Sequence, residues 1–115
     1  MKSKFYTIFA LAIGTLSFAQ VGINTQNPQG VFNIDGGKNN AVTGVPTAAQ
    51  LADDFIVTTS GSAGIGAIPD ASAILELNVS QLASGSQKGF LGPRVALTAY
   101  NDASTIPNPA LGLLV

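Results

Sequence analysis

Read for alternation of apolar and polar positions, the chain breaks into short runs separated by turn residues. Val31-Phe32-Asn33-Ile34-Asp35 is a strand-like run bounded by Gly30 and Gly36, with the β-branched and aromatic content that suits a pleated surface. Phe55–Thr59 (FIVTT) is the strongest strand pattern. Ser60-Gly61-Ser62 forms a turn after it, and Ala63–Ile68 is a second short extended run, so the pair predicts a β-hairpin. Ala73–Val79 (AILELNV) fits a strand better than a short uncapped helix, with Leu75, Leu77 and Val79 on one face and Ile74, Glu76 and Asn78 on the other. Gly89–Leu97 is extended, with Pro93 barring a central-strand position. Thr47-Ala48-Ala49-Gln50 has the form of a capping box. A short helix over Ala48–Asp53 and an extended loop both fit there, since two turns are weak without tertiary support. Lys38–Pro46 and Thr98–Pro109 read as loop.

The N-terminal segment breaks this pattern. Lys2 and Lys4 precede an apolar run over Phe5–Leu16, and Ser17 and Ala19 then occupy small-residue positions. This is the layout of a secretory signal peptide cleaved between Ala19 and Gln20. The run is about a dozen residues, short of the ~20 that cross a bilayer, so no membrane span is expected after cleavage. Residues 1–19 are therefore the signal segment and residues 20–115 the exported module.

Composition limits what that module can do. The chain of 115 residues has no cysteine and no histidine, which rules out disulfides, a lipid-bearing cysteine and the usual nitrogen and sulfur metal ligands. Beyond residue 19, Lys38, Lys88 and Arg94 face Asp35, Asp53, Asp54, Asp70, Glu76 and Asp102. Such a chain lacks the basic patch that nucleic acid requires. A domain this small with scattered large apolar residues does not build a dense monomeric core. It is expected to gain burial by association.

Two segments repeat one another. Gly22-Ile23, a turn with Pro28, and the run at Gly30–Ile34 are echoed by Gly64-Ile65, Pro69 and the run at Ala73–Leu77. The offset is 42 positions, from Gly22 to Gly64. The repeat suggests a modular, extended β architecture whose units need neighbours.

These same residues carry a resemblance. VGINTQNPQGVFNIDG (residues 21–36) resembles the VGIGTTNP…LDI module of secreted surface proteins from Bacteroidetes, especially flavobacteria, which recurs in phage tail-fibre-like proteins. ASAILELN, KGFLGPRVALT and PALGLLV are similar to the KGFLxPRV…GLLVYN region of the same proteins. The resemblance implies a trimeric, β-rich fibre or stalk, in some relatives followed by a chaperone-type peptidase domain. Gly66-Ala67-Ile68-Pro69 departs from the usual Thr-rich turn, and no catalytic residue carries over. The apolar ending Leu113-Leu114-Val115 reads as the N-terminal part of a longer polypeptide, with a downstream domain missing.

Candidate chemistry is sparse. Asp53-Asp54 is the one adjacent carboxylate pair and reads as solvated loop before the Phe55 strand; calcium needs more oxygen ligands at fixed spacing. Asp35-Gly36-Gly37-Lys38-Asn39-Asn40 offers oxygens but no second or third acid, and reads as a turn. Gly61–Gly66 matches no phosphate-binding loop. Without histidine no Ser-His pair can form, so neither an enzyme nor a cofactor is expected. Arg94, in Gly92-Pro93-Arg94, is the charged residue suited to an inter-chain salt bridge, with Glu76 as its partner in an oligomer.

The reading is a mainly β, non-enzymatic, secreted structural or adhesive module of a homotrimeric fibre. Two alternatives remain: a small stand-alone carbohydrate- or surface-binding module, and a truncated product without independent function. The first needs exposed aromatics, and Phe32, Phe55, Phe90 and Tyr100 are the candidates, most of them in predicted strands.

Overall fold

The computed structural model describes residues 1, 2, 4, 6, 19–99, 102 and 104–114. Most of the predicted signal segment, Tyr100 and Val115 lie outside the described residues. Five short strands form one sheet in sequential order: β1 (Val21–Ile23), β2 (Phe32–Asp35), β3 (Asp54–Val57), β4 (Ala63–Ile65) and β5 (Leu75–Leu77). A one-turn helix, α1 (Ala48–Leu51), precedes β3. The molecule is elongated, with a radius of gyration of 22.0 Å against about 13 Å for a compact domain of this length.

The predicted hairpin is β3–β4, antiparallel, with Ile56 opposite Gly64. Its turn closes through Thr58 N–H to the Ser62 carbonyl (2.9 Å) and Gly61 N–H to the Thr58 carbonyl (3.0 Å). Gly61 supplies the left-handed backbone at φ 87°. The capping box also forms. Thr47 N–H donates to Gln50 Oε1 (2.9 Å), Thr47 Oγ1 accepts from Gln50 N–H (3.4 Å), and Leu51 is buried. The helix is one turn, shorter than Ala48–Asp53. The second extended run ends at Ile65 rather than Ile68, and Gly89–Leu97 forms no strand.

The sequence repeat is a structural device. β1 pairs in parallel with β2, and β4 in parallel with β5. A parallel pair usually needs a crossover of a dozen or more residues; here residues 24–31 and 66–74 turn back more tightly. Both copies do so with the same backbone. Asn24 and Gly66 occupy equivalent places after the strand and have φ of 62° and 82°, a region that Gly and Asn tolerate. A Cβ on Gly22 would sit 2.6 Å from the Thr25 carbonyl oxygen, and one on Gly64 2.5 Å from that of Ala67. In each copy the chain folds back onto the strand it has just left, and only glycine leaves room. The departure from a Thr-rich turn at Gly66–Pro69 therefore keeps the turn geometry.

The core is thin, as the composition implied. Among the described residues Leu51 and Ile56, with Pro46 and Pro69, are the buried apolar side chains, while Asn33, Asp35, Asp54 and Ser62 are buried polar ones.

Candidate functional site

Strand alternation and register sort the sheet into two unlike faces. On one, Val21, Phe32, Val57, Ala63 and Leu75 form a row across all five strands, and Ile23, Ile34, Phe55, Ile65 and Leu77 form the next. Every position is apolar. Phe32 and Phe55 meet edge-on, ring centroids 6.1 Å apart. Yet this face is open. The central side chains are half-buried, and Val21, Ile23, Ile65, Leu75 and Leu77 toward the edges are exposed. At the β4–β5 end it runs into a groove of about 790 Å³ whose lining includes Ile65, Leu75, Leu77, Leu82, Phe90 and Leu91.

The opposite face carries Gly22, Asn33, Asp35, Asp54, Ile56, Gly64 and Glu76. The chain's own connections cover it. Gly30 lies against the Val57 carbonyl and near Ile56 Cγ2. Gln29 N–H donates to Asn33 Oδ1 (2.9 Å), and the Asn33 amide reaches Asp54 Oδ2 (3.1 Å). Asn39 and Asn40 N–H groups donate to Asp35 Oδ1 (3.1 Å) and Oδ2 (2.9 Å). The usual arrangement is thereby inverted, with hydrogen-bonded polar groups inside and a continuous apolar sheet outside. Soluble monomers seldom leave such an apolar patch uncovered.

Two expectations are corrected here. Asp54 is not in a solvated loop; it begins β3 and is 0 % exposed. The reason is register, which sets Asp54 opposite Asp35, itself the last residue of β2. Burial raises the Asp54 pKa, the Asn40 and Asn33 amides oppose the rise, and the Asp35 and Asp53 charges add to it. Phe90, in turn, belongs to no strand and is 69 % exposed, beside the apolar groove.

The candidate ion-pair residues have different surroundings within one protomer. Glu76 stands on β5, its Oε2 accepting from Asp70 N–H (2.7 Å) and its Oε1 from the Asn78 amide (3.1 Å). Arg94 is exposed in the irregular segment after the groove. Ala19 and Gln20 are exposed and irregular just ahead of β1. Strand β1 itself was missed by the alternation pattern, because three residues are too few to show a period; the Gly22-Ile23 repeat was the clue that could have found it.

An apolar sheet face left open in a small elongated β protein is what an oligomerisation module presents. Residues 22–115 match the family described as phage tail like trimerisation region. The chain belongs to that family. No curated protein and no solved structure matches it. The membership supports a structural, fibre-like homo-oligomer and a non-catalytic role. Among the described residues no helix is long and apolar enough to cross a membrane.

Proposed function

We propose that this protein is an exported structural module that trimerises through the open apolar face of its sheet, forming part of a surface fibre with an adhesive or display role. The observation that carries the reading is the pair of five-residue apolar rows, Val21–Phe32–Val57–Ala63–Leu75 and Ile23–Ile34–Phe55–Ile65–Leu77, which the protomer leaves uncovered. Three such faces packed about a common axis supply the core that one chain lacks. The strand edges β1 and β5, with unpaired backbone groups, need cover or pairing as well, and adjacent chains provide it.

Export rests on the N-terminal pattern, with cleavage between Ala19 and Gln20. The Arg94–Glu76 pair is proposed to form between chains, since Arg94 is exposed. Light scattering after gel filtration of the exported protein tests the assembly, and N-terminal sequencing tests the cleavage. A β-rich trimer beginning at Gln20 supports the reading. A folded monomer refutes it and favours a stand-alone binding module, and a start at Met1 refutes the cleavage.

A further inference from the structure

The two loop segments that each fell short of a cation site in the sequence are brought together by the sheet. β2 ends at Asp35 and β3 begins at Asp54, directly opposite one another. Asp53 precedes β3, and its carboxylate lies over Gly37, where a Cβ would collide with Oδ2. One carboxylate oxygen from each of Asp35, Asp53 and Asp54 lies within 4.8 Å of the others. The second and third acids that the Asp35–Asn40 loop lacks in sequence thus arrive from the start of β3.

A separate observation points to a ligand. Asp54 is fully buried. Its Oδ2 accepts from Asn33 (3.1 Å) and Asn40 (2.7 Å), but its Oδ1, also buried, has no hydrogen-bond partner. Asn40 Oδ1, on the side chain that touches Asp54, is likewise buried and unpartnered. Both orphans are acceptors, and leaving a buried acceptor unmet forfeits the hydrogen bond it had with water. The charged neighbours acting on Asp54 are Asp35 and Asp53, both negative, and its Oδ2 is met only by the neutral Asn33 and Asn40 amides. The Asp35 oxygens, each taking one N–H, keep a lone pair free. Three carboxylates and a side-chain amide oxygen, all oxygen donors, form a hard-cation set.

We propose that Asp35, Asp53 and Asp54, with Asn40 Oδ1, bind a divalent cation of the calcium type, pinning the 36–40 loop to the start of β3. Exposed Asp53 is the approach from solvent. The set holds few acids and sits in a loop, so Ca²⁺ binding is expected in the weak range of extracellular modules, a Kd of about 10⁻⁴–10⁻³ M. Mg²⁺, which demands octahedral geometry and sheds water reluctantly, binds less well.

The test is calorimetric titration of the full chain with Ca²⁺ alone, at fixed ionic strength, beside its thermal midpoint in Ca²⁺ and in chelator. The expected result is saturable binding of one Ca²⁺ per chain with a raised midpoint. Asp53→Asn changes an exposed side chain and is expected to keep the native circular dichroism. It should weaken Ca²⁺ binding at least ~10-fold, since loss of even an outer partner of a metal site costs that much. Absence of saturable heat and of a midpoint shift up to about 10 mM, ten times the weakest of that class, overturns the proposal; a bridging water or a protonated Asp54 then satisfies the orphan oxygens. Unchanged affinity in Asp53→Asn overturns it too.

Discussion

Leu77→Asp puts the apolar-face reading at risk most directly. Leu77 lies on β5, opposite Ile65, and is 43 % exposed in the protomer. Fully burying a leucine side chain is worth about 1.5–3 kcal/mol, so covering the part still open contributes about 1 kcal/mol. Val21, Ile23, Ile65, Leu75 and Leu77 are all about half-exposed, and together they offer about 5 kcal/mol per chain to an interface. An aspartate at position 77 forfeits its share and places a carboxylate in the seam, facing its equivalents in two other copies. Desolvation of each such charge costs several kcal/mol. With at least about 3 kcal/mol lost per copy, three copies lower the association constant by about six decades, at 1.4 kcal/mol per decade. The protomer keeps its own contacts, so its β-type circular dichroism should persist. Ile74→Asp is the control. Ile74 is more exposed, at 81 %, but precedes Leu75 and so falls on the other side of the alternation. Sedimentation across a micromolar concentration series should show Leu77→Asp as monomer and Ile74→Asp as trimer. A trimeric Leu77→Asp, or equal dissociation of both variants, would refute the argument from faces.

Three further outcomes are expected. Ile56→Ala, at the centre of the covered face with 0 % exposure, should lower stability by about 2–5 kcal/mol in denaturant titration. Gly22→Ala and Gly64→Ala each drive a methyl into a backbone carbonyl and should each cost about 1–3 kcal/mol, whereas Gly89→Ala, with open space around it, should be close to silent. The Ser72 hydroxyl and N–H, both donating to Asp70 Oδ1 (2.6 and 2.8 Å), hold the Asp70 carboxyl below its ordinary value. Stability from this group is therefore present above the unfolded pKa of about 3.9 and is lost as pH falls through the lower folded value; carboxyl NMR titration should show the Asp70 midpoint moving up in Ser72→Ala.

Much of the local structure was legible. Phe32–Asp35, Asp54–Val57, Ala63–Ile65 and Leu75–Leu77 lie within or within one residue of predicted runs, because β-branched and aromatic residues bounded by glycine mark strands wherever they pair. The Thr47–Gln50 capping box is chemistry between residues three apart, so it needs no tertiary information. The Gly-Ile repeat was visible as letters, and its meaning as a tight parallel turn rests on φ values and a close carbonyl approach. The clustering of the three acids was the part least legible. Asp35 and Asp53-Asp54 are remote in sequence, and each alone is an ordinary loop acid.

Composition and local pattern were enough for the class of object: a β-rich chain with no cysteine or histidine chemistry, too few large apolar residues for a core of its own, and a repeat that calls for neighbours. These are properties of composition and local pattern, which hold whatever the pairing. Which face is covered and which is open follows from the folded arrangement alone. Register places Asn33, Asp35 and Asp54 under the chain's own loops and leaves ten apolar positions outside. Alternation along one strand cannot say which side the connections cover. That choice depends on where the connections fold back: residues 24–31 bring Gln29 and Gly30 onto the Asn33 side, and the loop after Asp35 brings Asn39 and Asn40 there.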